Sequence, residues 1–214
     1  MIDNYLQAVH AKSNYFKLRS YNGEHDKARA AFVKCCKSIV SNWKDNNEEI
    51  TDQLVKYCIQ QDFNGQLDKG ILLMGNTGVG KTVYLKALSL MLGYLNNFKF
   101  NIYTGFEMER LYQLEPGSED AYPLEVALGS KMFGIDDLGE EHTSIKRYGT
   151  EINVGIDTIT RRHQLFTDKG YLTFATTNLN AEMIGRKYGK RIESRIYEMF
   201  NIIGVKGRDL RKNH

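Results

Sequence analysis

Proline is nearly absent. Pro116 and Pro123 are the only two in 214 residues and lie close together, so the rest of the chain is free to form regular elements. Cysteine is scarce too. Cys35, Cys36 and Cys58 are odd in number, two are adjacent, and no Cys-x-x-Cys spacing occurs, which argues against a disulfide framework or a zinc site. They read as buried thiols in a reducing compartment. The five histidines show no ligand spacing. Charge of one sign is also missing: a formal net charge of +3 is too small to diagnose a nucleic-acid partner. No apolar run approaches the roughly 20 residues that span a bilayer. Met1-Ile2-Asp3-Asn4-Tyr5 lacks the basic start and apolar run of a signal peptide. The expectation is a cytoplasmic protein with no membrane partner. Repeats and low-complexity tracts are absent as well.

What is present is an ordinary globular balance, 42% hydrophobic and 26% charged, which argues against disorder. The length allows one sizeable core, or one core with a small appendage. Basic residues gather in the last third, at Arg186-Lys187, Lys190-Arg191, Arg195 and Lys206 to Lys212. From Glu24 to Trp43, Ala28, Ala31, Phe32, Cys35, Ile39 and Trp43 recur at helical intervals. A second helix is expected from Glu48 to Gln60, with Asp45-Asn46-Asn47 supplying turn and cap.

Beyond this the rhythm changes. Strands are expected at Ile71–Met74, Phe98–Tyr103, Lys131–Asp136, Tyr171–Thr176 and Phe200–Val205. Helical patterns fall at Val83–Leu92, Phe106–Leu114 and Gly149–Gln164, with a loop around Pro116-Gly117-Ser118. Strands alternating with helices imply βαβ units and a largely parallel sheet.

Between the first strand and its helix lies Gly75-Asn76-Thr77-Gly78-Val79-Gly80-Lys81-Thr82, which satisfies G-x-x-x-x-G-K-[ST] at every specified position. The chemistry asks for these residue types. Glycines let the backbone turn its N–H groups toward phosphates, and the helix N-terminus adds partial positive charge. Lys81 reaches the β- and γ-phosphates, and the Thr82 hydroxyl ligates Mg²⁺. A nucleoside triphosphate with Mg²⁺ is the expected ligand.

Phe133-Gly134-Ile135-Asp136-Asp137 places two carboxylates at the C-terminal end of a buried strand, where ligands sit in parallel sheets. Asp136 is assigned to Mg²⁺, and Asp137 to the water that attacks the γ-phosphate. Without the phosphate loop, Asp-Asp at a strand end is equally a cap and turn; with it, hydrolysis is favoured over mere binding. Thr173-Phe174-Ala175-Thr176-Thr177-Asn178 ends another strand in polar residues, and Asn178 is a candidate to orient the water or bond the γ-phosphate. Arg191 and Arg195, four apart, share a helix face, where they either stabilise phosphoryl charge or form surface ion pairs such as Arg195 with Glu198. Lys146-Arg147 is either a DNA contact or a solvated pair.

The order of the phosphate loop, Ile135-Asp136-Asp137-Leu138-Gly139, Thr176-Thr177-Asn178-Leu179 and Tyr188-Gly189-Lys190-Arg191-Ile192-Glu193-Ser194-Arg195 resembles an AAA+ ATPase. Within that superfamily it is most similar to the DnaC-type helicase loaders and the IstB-type transposition helper ATPases. The Asp-Asp acidic motif and Tyr103-Thr104-Gly105-Phe106-Glu107 fit that clade, and the likeness spans roughly residues 48 to 211. It implies a P-loop NTPase fold of AAA+ type: a five-stranded, mainly parallel sheet flanked by helices. The sequence given ends at His214 soon after the fifth strand, so the expectation departs from larger AAA+ proteins in having no C-terminal lid domain. Residues 48–214 form the ATPase domain, and residues 1–47 a small helical extension that binds a partner. The resemblance makes Lys81 and Thr82 the Walker A positions, Asp136 and Asp137 the Walker B pair, and Asn178 the sensor 1 position. Arg191 and Arg195 match the box with an arginine finger, which acts on ATP held by a neighbouring copy; either is the finger, or Arg195 instead supports the interface. Gly207-Arg208-Asp209-Leu210-Arg211 resembles the short basic ending of the clade.

The activity so implied is ATP hydrolysis stimulated by assembly, DNA or a partner. The partners implied are a replicative helicase or a transposase, DNA (single-stranded or duplex), and further copies of the chain in an ATP-dependent oligomer. Three readings follow: a helicase loader in DNA replication, a transposition helper assembling on DNA, and a nucleotide-gated binding module with negligible turnover.

Overall fold

The computed structural model describes residues 15–113, 124–141, 144–147, 149–207 and 209. The loop expected at Pro116-Gly117-Ser118, the first fourteen residues, and Arg208, Leu210 and Arg211 of the basic ending lie outside them.

Among the described residues two helices come first, α1 (His25–Ile39) and α2 (Glu48–Ile59), and Asn47 caps the second by accepting from the Ile50 N–H. Then follow β1 (Gly70–Met74), α3 (Lys81–Asn96), β2 (Ile102–Thr104), α4 (Gly105–Gln113), α5 (Leu124–Leu128) and β3 (Met132–Asp136). A hairpin of β4 (Ile145–Arg147) and β5 (Thr150–Ile152) leads into α6 (Val154–Lys169) and β6 (Leu172–Thr177). The described chain closes with α7 (Ala181–Tyr188), α8 (Lys190–Met199) and β7 (Phe200–Gly204).

Five strands form one sheet in the order β2-β3-β6-β1-β7, with every pairing parallel. Parallel strands covered on both faces need apolar residues throughout rather than alternation. The sequence obliges: Ile71-Leu72-Leu73 in β1 and the whole of β3 and β6 are buried. The pleat divides them between two cores. Ile71, Leu73 and Phe174 pack with α1, α2 and α3 on one face. Leu72, Phe133, Ile135 and Ala175 pack with α4 to α8 on the other. The result is three layers, helices over sheet over helices. Ala28, Phe32, Cys36 and Trp43 belong to the first of these cores, so the segment around α1 is packed into it.

Two of the expected element starts are displaced. The second strand starts at Ile102 rather than Phe98, because Phe100 turns inward to stack on Phe174 at 4.6 Å. The helix expected from Gly149 begins only at Val154; Thr150–Ile152 pairs antiparallel with Ile145–Arg147 instead. Asn153 marks the boundary, its side chain accepting from the Ile156 N–H at 3.0 Å. Lys146 is exposed on the hairpin, opposite Glu151.

The layers are fastened by a buried arginine. Arg162 of α6, fully buried, donates to the Leu128, Ser130 and Leu172 carbonyls and to the Thr173 hydroxyl at 2.6 to 3.0 Å. Its guanidinium lies 5.4 Å from the Phe133 ring centroid. A buried charge is tolerated there because its donors meet acceptors.

Among the described residues no helix is long and apolar enough to cross a membrane. Cys35 is half-buried and Cys36 and Cys58 are buried, all three free. Burial pushes the Cys36 thiol up to about 12 and Cys58 higher still.

Candidate functional site

The phosphate loop leaves β1 at the C-terminal edge of the sheet and returns as α3. Gly78 and Gly80 hold φ of 82° and 93°, a region that only glycine enters freely. Gly80 is the N-cap of α3, makes no side-chain cap, and no acidic residue sits in the first turn. The positive end of the helix is therefore left for a ligand.

Lys81 is only 5% exposed. Its ammonium donates to the Gly75 and Asn76 carbonyls at 2.8 Å each and to Asn178 Oδ1 at 2.7 Å. The lysine of the loop and the polar tip of β6 are thus one constellation. Asn178 Nδ2 continues it, donating to Glu140 Oε1 at 3.3 Å.

Beside it runs a second chain of contacts. Thr82 Oγ1 donates to Asp136 Oδ1 at 3.0 Å, and Thr176 Oγ1 donates to the same oxygen at 2.7 Å. The Thr176 hydroxyl also accepts the Asp137 N–H at 2.8 Å. One β6 hydroxyl therefore positions both aspartates. Asp137 takes a left-handed backbone, φ 56°, which aspartate tolerates. The turn that follows is sewn to β6: Leu138 N–H to the Thr176 carbonyl at 2.8 Å, and Thr177 Oγ1 to the Leu138 carbonyl at 2.6 Å.

Beside these contacts lies a cavity of about 800 Å³. Thr77, Gly78, Gly80, Lys81 and Thr82 form its floor, and Asp137, Glu140 and Asn178 one wall. The opposite wall is the α1–α2 connection, with Val40, Asn42, Trp43, Lys44 and Asn46. Trp43 is held edge-on against Tyr84 of α3, centroids 6.2 Å apart. The cavity thus has a polar end at the loop and an aromatic wall opposite, as a nucleotide requires. For a divalent cation the donors fit: a hydroxyl and a carboxylate 3.0 Å apart beside the loop, hard oxygens of the kind that share Mg²⁺ with phosphate.

Arg191 and Arg195 do lie on one helix, α8, but neither lines the cavity. Arg191 is exposed. Arg195 Nη1 donates to Thr160 Oγ1 of α6 at 2.7 Å. The Glu198 carboxylate meets His163 at 2.8 Å, and that hydrogen bond holds it below the ordinary carboxylate range.

Sequence reasoning missed Thr176, Glu140 and Trp43. Thr176 was visible only as part of a polar strand tip. Trp43 fitted the helical period of α1, yet the helix ends at Ile39 and the turn carries the indole to the cavity. Glu140 carried no signal beyond its closeness to the aspartate pair.

No family model and no curated protein matches the chain. Solved structures do. The DnaC helicase loader superposes with a TM-score of 0.59 at 20% identity, covering 77% of this chain and 94% of that one. DnaI gives 0.59 at 19%, covering 92% and 97%. AMPPCP-bound DnaA from Aquifex aeolicus gives 0.55 at 13%, covering 77% of this chain and 48% of that one. The chain therefore has the P-loop fold of AAA+ type, the fold of DnaC, DnaI and the matched part of DnaA.

Proposed function

We propose that the chain is an ATP-binding and ATP-hydrolysing AAA+ protein of the DnaC-like clade, acting as a helicase loader in DNA replication. The observation that carries this reading is the Lys81 ammonium, gathered by Gly75, Asn76 and Asn178 beside the Thr82–Asp136–Thr176 chain. Lys81, Thr82 and Asn178 from this constellation line one cavity, and an ammonium, a hydroxyl and an amide suit a triphosphate with its metal. The AMPPCP of the DnaA structure, an ATP analogue, supports an adenine nucleotide as ligand.

The loop N–H groups and Lys81 bind the β- and γ-phosphates. Thr82 and Asp136 would hold Mg²⁺, which when bound neutralises charge across those phosphates. Asp137 accepts the proton of the attacking water, and Asn178 orients that water or the γ-phosphate. Arg191 or Arg195 is supplied by a neighbouring copy, because neither reaches its own chain's cavity lining. Trp43 borders the base. The helicase is the preferred partner because one of the similar structures, DnaC, is a helicase loader by name; residues 1–47 are its proposed contact.

The test uses the single tryptophan. Titration with MgATP is expected to change Trp43 fluorescence saturably, and phosphate release is expected to rise with protein concentration, DNA or a hexameric helicase. No fluorescence or calorimetric response to MgATP sinks the nucleotide site. Binding without turnover under all those conditions returns the nucleotide-gated module instead. Affinity capture in ATP and in ADP separates helicase from transposase, and hence the loader from the transposition helper.

A further inference from the structure

Just beyond the aspartate pair the chain carries two glutamates whose side chains go opposite ways. Glu140 lines the cavity and accepts from Asn178. Glu141 is 3% exposed and turns into the protein. Its Oε2 accepts the Gly139 N–H at 2.8 Å, and its Oε1 accepts the Tyr188 hydroxyl. Lys187 Nζ lies 4.0 Å from Oε1 and donates to the Glu141 carbonyl at 3.3 Å. Two glycines leave room for it. A Cβ on Gly155 would stand 2.5 Å from Glu141 Oε1, and one on Gly105 would stand 3.0 Å from Glu141 Cβ. The carboxylate thus joins the turn after β3, the start of α6 and the last turn of α7, while the Glu141 backbone and Cβ lie against the start of α4.

A buried carboxylate is costly unless its lone pairs are met. Here an amide and a phenol donate to it, and an ammonium stands 4.0 Å away. Burial and the Glu141 charge hold the Tyr188 phenol well above its usual range, so it stays a donor at any working pH. Helix α7 then passes through Gly189 straight into α8, which bears Arg191 and Arg195.

We propose that Glu141 is a positioning residue that transmits the state of the γ-phosphate site to α7 and α8. The inference rests on the nucleotide reading above. The shared element is the Asp137–Glu140 turn. Asp137 and Glu140 face the cavity, while the Gly139 N–H between them is pinned by Glu141. A γ-phosphate that draws Asn178 away from Glu140 shifts this turn, and the Glu141–Tyr188 and Glu141–Lys187 contacts make α7 follow. The device is two-ended: the same anchor holds Asp137 in register for the water.

The experiment is hydrogen exchange of residues 181–199 with a non-hydrolysable ATP analogue and with ADP, alongside steady-state hydrolysis. Wild type, Glu141→Gln and Tyr188→Phe are compared. Wild type is expected to exchange differently in the two nucleotides. Glu141→Gln is expected to lose that difference and about 10- to 100-fold in kcat, as for a misplaced reacting group, with KM and Trp43-monitored affinity within about twofold. Tyr188→Phe, which keeps the ring, moves both readouts the same way by less, and serves if the glutamine variant fails to fold. A Glu141→Gln protein that keeps the wild-type difference and kcat overturns the proposal even if it melts earlier. Wild-type protein that binds the analogue with no difference from ADP also overturns it. Wild-type protein that binds neither nucleotide overturns the nucleotide reading, and the coupling with it.

Discussion

The phosphate loop and the arginine helix are both short motifs, yet the molecule treats them differently. The loop is finished within its own chain. Lys81 is buried and bonded three times, and β3 and β6 deliver Asp136, Asp137 and Asn178 to it from neighbouring positions in the sheet. The arginines have no such setting. Arg191 stands in solvent and Arg195 is tied to Thr160 on a different helix. The first motif is assembled within one chain; on the proposed reading, the second acts on a phosphate brought by another copy.

The largest effect expected is on this asymmetry. Arg191, exposed and untied, is the expected finger, so Arg191→Ala should lower kcat by about 10³- to 10⁵-fold with nucleotide affinity kept. Arg195→Ala should cost less, since its guanidinium is engaged at home. Mixing Arg191→Ala with Lys81→Ala protein should restore part of the turnover, because some composite sites regain both groups. Mixtures as inactive as either parent would break the comparison.

Next comes Asp137→Asn, expected to reduce kcat by about 10²- to 10⁴-fold, as for loss of a general base. Measured by phosphate release, an unchanged rate would shift the base role away from Asp137, with Glu140 next to test.

Arg162 contrasts with the other arginines because it serves the fold. Arg162→Ala removes the donor to three carbonyls, two of them in buried contacts, and should cost about 3 kcal/mol or more, read as a denaturant midpoint. Glu198→Gln on α8 should be the mildest. The depressed Glu198 carboxylate contributes stability above its unfolded range, and this is lost as pH falls through its lowered folded value. At an exposed pair the difference from wild type should be a few tenths of a kcal/mol at neutral pH and vanish in acid.

How much of this was legible depends on sequence distance. Strand, loop and helix around Lys81 are contiguous, and glycine, lysine and threonine at those spacings have few other uses. The five parallel strands showed because a strand buried on both faces must be apolar throughout. The β4–β5 hairpin hid because Ile152, Ile156 and Ile159 keep a helical spacing across the Asn153 cap, so periodicity ran past the true boundary. Glu141 was illegible for another reason: beside Glu140 it is one acid in a polar turn, and only Gly105, Gly155 and Tyr188 packing around it make it a buried anchor.

The sequence alone determined that this chain has a phosphate loop on a parallel sheet, because backbone turning, helix polarity and strand burial are set by near neighbours. Tertiary structure decided which oxygens Asp136 shares, that Trp43 walls the cavity, and that Glu140 and Glu141 face opposite ways. Those contacts join residues tens of positions apart, and no local pattern specifies which side chains the crossing of β3, β6 and α7 brings within hydrogen-bond reach.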